Sequence, residues 1–133
     1  MTVRYLNESD YEDFLVGWWK DWGWTPPPKD ALPDGFLGMC VMDDDTPVCA
    51  GFIYTTNSKV AIVDWIISNK HYRKKPNRKE ALIRLINVMT QYAKLAGAGY
   101  VYAIIKHPSL IDTYEQCGYK KGDGGMTEML YKV

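Results

Sequence analysis

Six of the ten residues from Lys70 to Lys79 are Lys or Arg, in a chain whose formal net charge is zero. The run KHYRKKPNRK sits where an apolar helical pattern begins. A helix start exposes four backbone N–H groups without intrahelical partners, and its dipole adds about half a positive charge. Cations placed there oppose the dipole by a few tenths to about 1 kcal/mol each, so stability alone does not account for them. Arg73, Lys74, Lys75, Arg78 and Lys79, with Asn77 as a candidate N-cap, are residue types that hold a phosphate-bearing anion at such a place. The alternative is a solvated basic loop. His71 belongs to the same loop, as a phosphate contact or as a solvent-exposed ring.

Asp64 interrupts the apolar run VAIVDWII. An unpaired carboxylate there would cost several kcal/mol, so it must face a polar cavity or a partner. Tyr114 lies in HPSLIDTYEQCGYK, on a helix that brings it near the mouth of a sheet, for packing or for catalysis. Trp18, Trp19, Trp22 and Trp24 precede three consecutive prolines. Trp18 and Trp22 fit the helical stripe of Tyr11, Phe14 and Leu15 and read as core. Trp19 and Trp24 fall off it and are the candidates for an exposed, ligand-lining role.

The elements that must position these residues follow from periodicity. Residues 3–6 read as a strand, and Ser9 with Glu12 makes a capping box for a helix over 10–22, which Gly23 can end. Residues 23–36 form a semi-rigid loop with one helical turn near Asp30. Residues 36–42 and 47–56 are strands joined by DDDT, and 60–67 is a central strand covered on both faces. From Arg78, Leu82, Leu85, Ile86, Met89, Ala93 and Ala96 mark a long helix closed by Gly97. Residues 100–105 form a buried strand, 108–117 a short helix ended by Gly118, and 119–121 with 126–132 a closing hairpin. A strand–helix–strand unit of this size implies a right-handed crossover between parallel strands.

A chain of 133 residues makes one domain, spanning 1–133. The three cysteines, Cys40, Cys49 and Cys117, show no C-x-x-C spacing; neither a disulfide framework nor a metal site is expected. No apolar run approaches the roughly 18 residues that span a bilayer, and MTVRYLNESD lacks a secretion-signal core. A cytoplasmic protein with no membrane partner is the expectation. Residues 1–69 carry four Lys and Arg against eleven Asp and Glu, and residues 70–133 carry twelve against five. So divided a charge argues against a general nucleic-acid binder and permits one localised anionic ligand.

Together the basic turn and the Tyr114 helix resemble the GNAT superfamily of N-acetyltransferases. The order of elements matches over nearly the whole chain, and residues 60–96 resemble the family's acetyl-CoA half-site. The family's penultimate helix reads N-x-x-A-x-x-x-Y-x-x-x-G-F; HPSLIDTYEQCGY sets His107, Leu110, Tyr114, Gly118 and Tyr119 at those positions, with His107 the real departure. The family's phosphate loop is glycine-rich, whereas no glycine lies between Arg73 and Ala81 here, as in diverged members, some encoded by phages.

The resemblance implies an α/β fold with a mixed, mostly antiparallel sheet, a central parallel strand pair and flanking helices. It implies acetyl-CoA as co-substrate and direct attack on it by a primary amine of a small molecule or protein. Strands 60–67 and 100–105 would splay, the pantetheine arm would pair along Ile66, Ile67 and Ser68, and an N–H near Ile67 would polarise the thioester carbonyl. Tyr114 would protonate the leaving thiolate. Asp64 would be general base or amine-binding group, or else a structural carboxylate. His107 would hold the cofactor amide or simply enter the helix. Trp19 and Trp24 would line the acceptor site. A homodimer is compatible with this fold. The glycine-free loop also admits a second reading, a GNAT-like binding module without catalysis, and a third, a nucleic-acid patch at 70–79.

Overall fold

The computed structural model describes every residue except Arg73 and Lys74, and Lys75 as backbone alone. The phosphate-binding expectations for those three side chains lie outside the described residues. Among the described residues five strands form one sheet in sequence order: β1 (Thr2–Tyr5), β2 (Gly38–Asp43), β3 (Thr46–Thr55), β4 (Val60–Ser68) and β5 (Tyr100–Tyr102). The first four pair antiparallel, and β4 pairs with β5 in parallel. Helix α1 (Val16–Asp21) covers one face, while α2 (Lys75–Leu95) and α3 (Pro108–Gln116) cover the other. The period of two along β2 divides the core: Met39 and Val41 pack towards α2, and Cys40 towards α1. Among the described residues no helix is long and apolar enough to cross a membrane.

The long stripe holds in its middle: Leu85, Ile86, Met89 and Ala93 are buried as their spacing predicts, whereas Leu82 is half-buried, Ala96 is exposed, and the buried face begins at Ala81 instead. Ala81, Leu85, Ile86, Met89 and Ala93 are fully buried at three- and four-residue intervals, and Gly97 ends the run with φ 101°. The start differs. Helix α2 begins at Lys75 rather than Arg78, because Pro76 fits the first turn, where its fixed φ suits the helix and its missing N–H leaves nothing unpaired. Asn77 therefore lies inside the first turn and does not cap it.

The capping box at Ser9 is also overturned. Asp10 turns inward, accepts the Asn7 N–H at 2.7 Å and pairs with the Arg4 guanidinium at 2.8 and 3.1 Å; no side chain caps the turn that follows. That turn, Tyr11–Leu15, is a wide π turn leading into α1. The π turn adds residues to the winding and rotates the buried stripe. Leu15, Trp18 and Trp19 consequently face the core.

At the C-terminal end the expected hairpin is absent. No strand is formed over 119–133, and residues 120–133 are exposed. The β4–β5 ladder stops at Tyr102, which leaves little edge for a further strand to extend, and a hairpin without a sheet to join is marginal. Three glycines at 122, 124 and 125 add backbone entropy against ordering. Tyr119 does pack, edge-on against Tyr114 at 4.9 Å between ring centres, with its hydroxyl bonded to Thr90.

Candidate active site

The site is built by a break in the sheet. β4 and β5 share three rungs, Val60 with Tyr100, Ala61 with Val101 and Ile62 with Tyr102. β4 then continues to Ser68, and among the described residues no strand pairs with Val63–Ser68 on that side. A bulge in β4 accompanies the opening: Ala50 faces Ile67 and Phe52 faces Asp64, so β4 carries one residue more than β3 between them. Trp65 adopts φ 58° to make the bulge, a left-handed conformation that an indole side chain rarely takes. Three hydrogen bonds hold it. The Trp65 N–H donates to Asp64 Oδ1 at 2.8 Å, its indole Nε1 donates to the Tyr54 hydroxyl at 2.7 Å, and that hydroxyl donates to the Ala31 carbonyl at 2.8 Å.

The open edge has a defined polarity. The Asn69 N–H donates to the Val48 carbonyl at 2.8 Å, so Asn69 faces β3. By the alternation of an antiparallel ladder, Ile67 faces β3 as well, opposite Ala50, while Ser68 directs its backbone groups to the open side. Of the amides at Ile67 and Ser68, that of Ser68 rather than that of Ile67 looks to the open side. The Ser68 carbonyl already has a partner, the Trp22 indole Nε1 at 2.8 Å.

Helix α3 forms the opposite wall. Pro108 occupies its first turn after an extended His107, and two turns on Tyr114 is 2 % exposed. Its hydroxyl donates to the Val63 carbonyl at 3.4 Å, the outer limit of a hydrogen bond. Burial pushes this phenol well above its ordinary range, and neighbouring Tyr119 and Asp64 add to that. Asp64 is half-buried on the same stretch of β4. Desolvation raises its carboxyl, the Trp65 N–H offsets part of this, and Glu128 pushes it up further. Glu128 was invisible to sequence reasoning, because no periodic pattern places the C-terminal segment beside β4.

The basic loop is held from within. Arg78 turns its guanidinium back to donate to the carbonyls of Asn69 at 3.2 Å, Lys70 at 3.1 Å and Tyr72. Its Nε is buried without a partner among the described residues. Asn69 completes the turn, donating Nδ2 to the Pro47 carbonyl and accepting the His71 N–H on Oδ1. Lys79 Nζ reaches Asp112 on α3 at 3.9 Å, and the exposed His71 lies 3.3 Å from Asp21. Lys70 Nζ donates to the Asp21 carbonyl and stands 5.3 Å from the centre of the Trp22 ring.

The tryptophans are sorted by the π turn. Trp19, expected off the stripe and ligand-lining, is 2 % exposed and packs with Phe36 and Phe52 in the core. Trp22, expected as core, instead moves to the cleft mouth. Trp22 stacks on Trp24 at 6.0 Å between ring centres and 23°, and Trp24 stacks on His107 at 5.1 Å and 27°. Trp24 is 37 % exposed. The cysteines carry no disulfide, and burial pushes the Cys40 thiol up to about 12, far from a reactive thiolate. A separate open depression of about 500 Å³ lies at the start of β4, between Thr56, Lys59 and Ala96. It holds neither Asp64 nor Tyr114, so chemistry favours the open edge of β4 over this hollow.

No protein-family model matches the chain, and no curated protein matches it by sequence. Solved structures do. Wild-type TTHA1254 from Thermus thermophilus aligns with a TM-score of 0.70 at 14% identity, covering 100% of this chain and 99% of that one. Glucosamine-6-phosphate N-acetyltransferase from Arabidopsis thaliana aligns with a TM-score of 0.66 at 12% identity, covering 98% of each. An aminoglycoside acetyltransferase from an uncultured soil metagenomic sample, in complex with sisomicin, aligns at 0.64 and 12% identity, over 99% of this chain and 95% of its own. At these identities the likeness is one of fold. The chain has the fold of the GNAT acetyltransferases: a mixed, mostly antiparallel sheet with one parallel pair, flanked by helices.

Proposed function

We propose that the protein is an N-acetyltransferase that moves the acetyl group of acetyl-CoA to a primary amine of a small molecule or protein. The observation that carries this reading is the edge of β4, Val63–Ser68, left without a partner strand beyond β5 among the described residues, with the Tyr114 hydroxyl against the Val63 carbonyl at its start and Asp64 on the same stretch. An amide-bearing chain such as pantetheine can add to such an edge by backbone pairing. The outward amide of Ser68 is the donor available to a thioester carbonyl as negative charge develops on its oxygen. Phosphates would lie at the α2 N-terminus, on its free N–H groups, with Lys79, Lys74, Lys75 and Arg73 as cations. Arg78, turned inward, serves this by fixing the loop that glycines shape elsewhere. The same reading leaves Asn77 in the first turn as a polar contact and His107 beside the arm.

In the transfer, the neutral amine attacks the carbonyl carbon, the C–S bond breaks, and the sulfur leaves with the bonding electrons. Asp64, its proton affinity raised by burial, accepts the proton lost by the amine. Tyr114 stabilises the departing sulfur. Since burial raises the phenol further above the thiol, its contribution is a hydrogen bond to the forming thiolate rather than complete proton transfer. Asp64 and Glu128 also favour a cationic acceptor. Calorimetric titration with acetyl-CoA tests the reading: saturable binding supports it, and none at millimolar ligand with folded protein overturns it.

A further inference from the structure

The ring stack at the cleft mouth joins its two walls. Trp22 is fixed to the end of β4 by its hydrogen bond to the Ser68 carbonyl, and His107 stands at the start of α3. Trp24 lies between them, stacked on both rings. A chain entering from the α2 N-terminus to pair along β4 comes up to Ser68, where this stack stands. It meets a carbonyl already taken by an indole and a gap already filled by a second one. Resting on the acetyl-CoA reading above, we propose that the Trp22–Trp24–His107 stack is a gate that closes the cleft and must open for the co-substrate to enter.

The backbone around the gate is anchored. The Trp24 N–H donates to the Trp19 carbonyl at 2.9 Å, and the Tyr11 hydroxyl holds the Pro27 carbonyl at 2.8 Å. Three prolines stiffen the segment that follows. Opening is therefore a swing of the Trp24 side chain, at 37 % exposure already half in solvent, with Trp22 releasing Ser68. The gate gives two sequence oddities one cause. His107 departs from the asparagine of the resemblance because a ring there can stack on Trp24, and Trp24 falls off the helical stripe because it belongs to the mouth.

A closed gate lowers apparent affinity by the fraction of molecules that are open. Removing one stacked ring should then tighten CoA binding by roughly threefold to tenfold, the range set by a single aromatic pair. The experiment is calorimetric titration of CoA into the wild type, Trp24→Ala and Trp22→Phe, with the His107 ring-proton shifts recorded by NMR in ligand-free protein. The expected results are tighter binding in both variants and an upfield His107 shift in the wild type that Trp24→Ala abolishes. Equal or weaker binding in Trp24→Ala overturns the gate. An ordinary His107 shift in the wild type overturns it too. Should neither wild type nor variant bind CoA while the upfield shift is present, the acetyl-CoA reading fails and with it the gate's purpose, although the stack itself stands.

Discussion

The hydroxyl of Tyr114 lies 3.4 Å from the carbonyl oxygen of Val63, the first residue of β4 beyond its last rung with β5. So long a bond is weak, and with the ring fixed by packing the hydroxyl hydrogen can turn to a better acceptor. Tyr114→Phe should keep the fold and acetyl-CoA affinity and lower kcat by roughly tenfold to a hundredfold, below the usual span for full general acid catalysis. Tyr114→Ala should instead destabilise by about 3–5 kcal/mol through the cavity it leaves, read by urea unfolding.

Arg78 binds three carbonyls of the loop before α2. Arg78→Ala should cost about 1–3 kcal/mol in urea unfolding, since those acceptors lose a charged donor. Arg78→Lys should recover part of it, because all three bonds come from the one nitrogen Nη2 and an ammonium also carries its donors on a single nitrogen.

Much of this architecture is legible in sequence because its signals are local. The stripe from Leu82 to Ala93, the apolar run of β4 and the helix stops at Gly97 and Gly118 each depend on neighbours a few residues away. What escaped depends on tertiary partners. Trp19 and Trp22 exchanged roles because a π turn, whose Asp10 flank is pulled in by Arg4, rotates the stripe. The bulge at Trp65 depends on Gly51 opposite and on Tyr54 one strand over. Arg78 reads as a phosphate ligand until the loop carbonyls are seen around it. The closing hairpin had a good turn sequence and too short a β5 to join.

Two glycines in the sheet should respond differently to alanine. A Cβ on Gly38 would strike the Gly51 backbone carbonyl oxygen, which cannot move aside. A Cβ on Gly51 would meet Ile66 Cδ1 at 2.5 Å and Met89 Cε at 2.8 Å, both ends of flexible side chains. Gly38→Ala should therefore destabilise by at least about 2–3 kcal/mol in thermal or urea unfolding, and Gly51→Ala by about 1 kcal/mol.

The Asp64 carboxyl has a raised pKa in the fold. The folded chain then binds its proton more tightly than the unfolded chain, so stability falls as pH rises from the unfolded value through the folded one. Asp64→Asn removes that loss while keeping an oxygen for the Trp65 N–H. Its Tm should exceed that of the wild type at pH 7, and the difference should close below about pH 4. Turnover should fall at the same time, because the amide accepts no proton.

The central claim is tested most directly by following free thiol release from acetyl-CoA in the presence of a panel of primary amines. The account predicts thiol release that needs both protein and amine, saturates in acetyl-CoA, and drops in Tyr114→Phe and Asp64→Asn. Thiol release no faster than without protein, across small polyamines, aminosugars and lysine peptides and with acetyl-CoA bound, would contradict it.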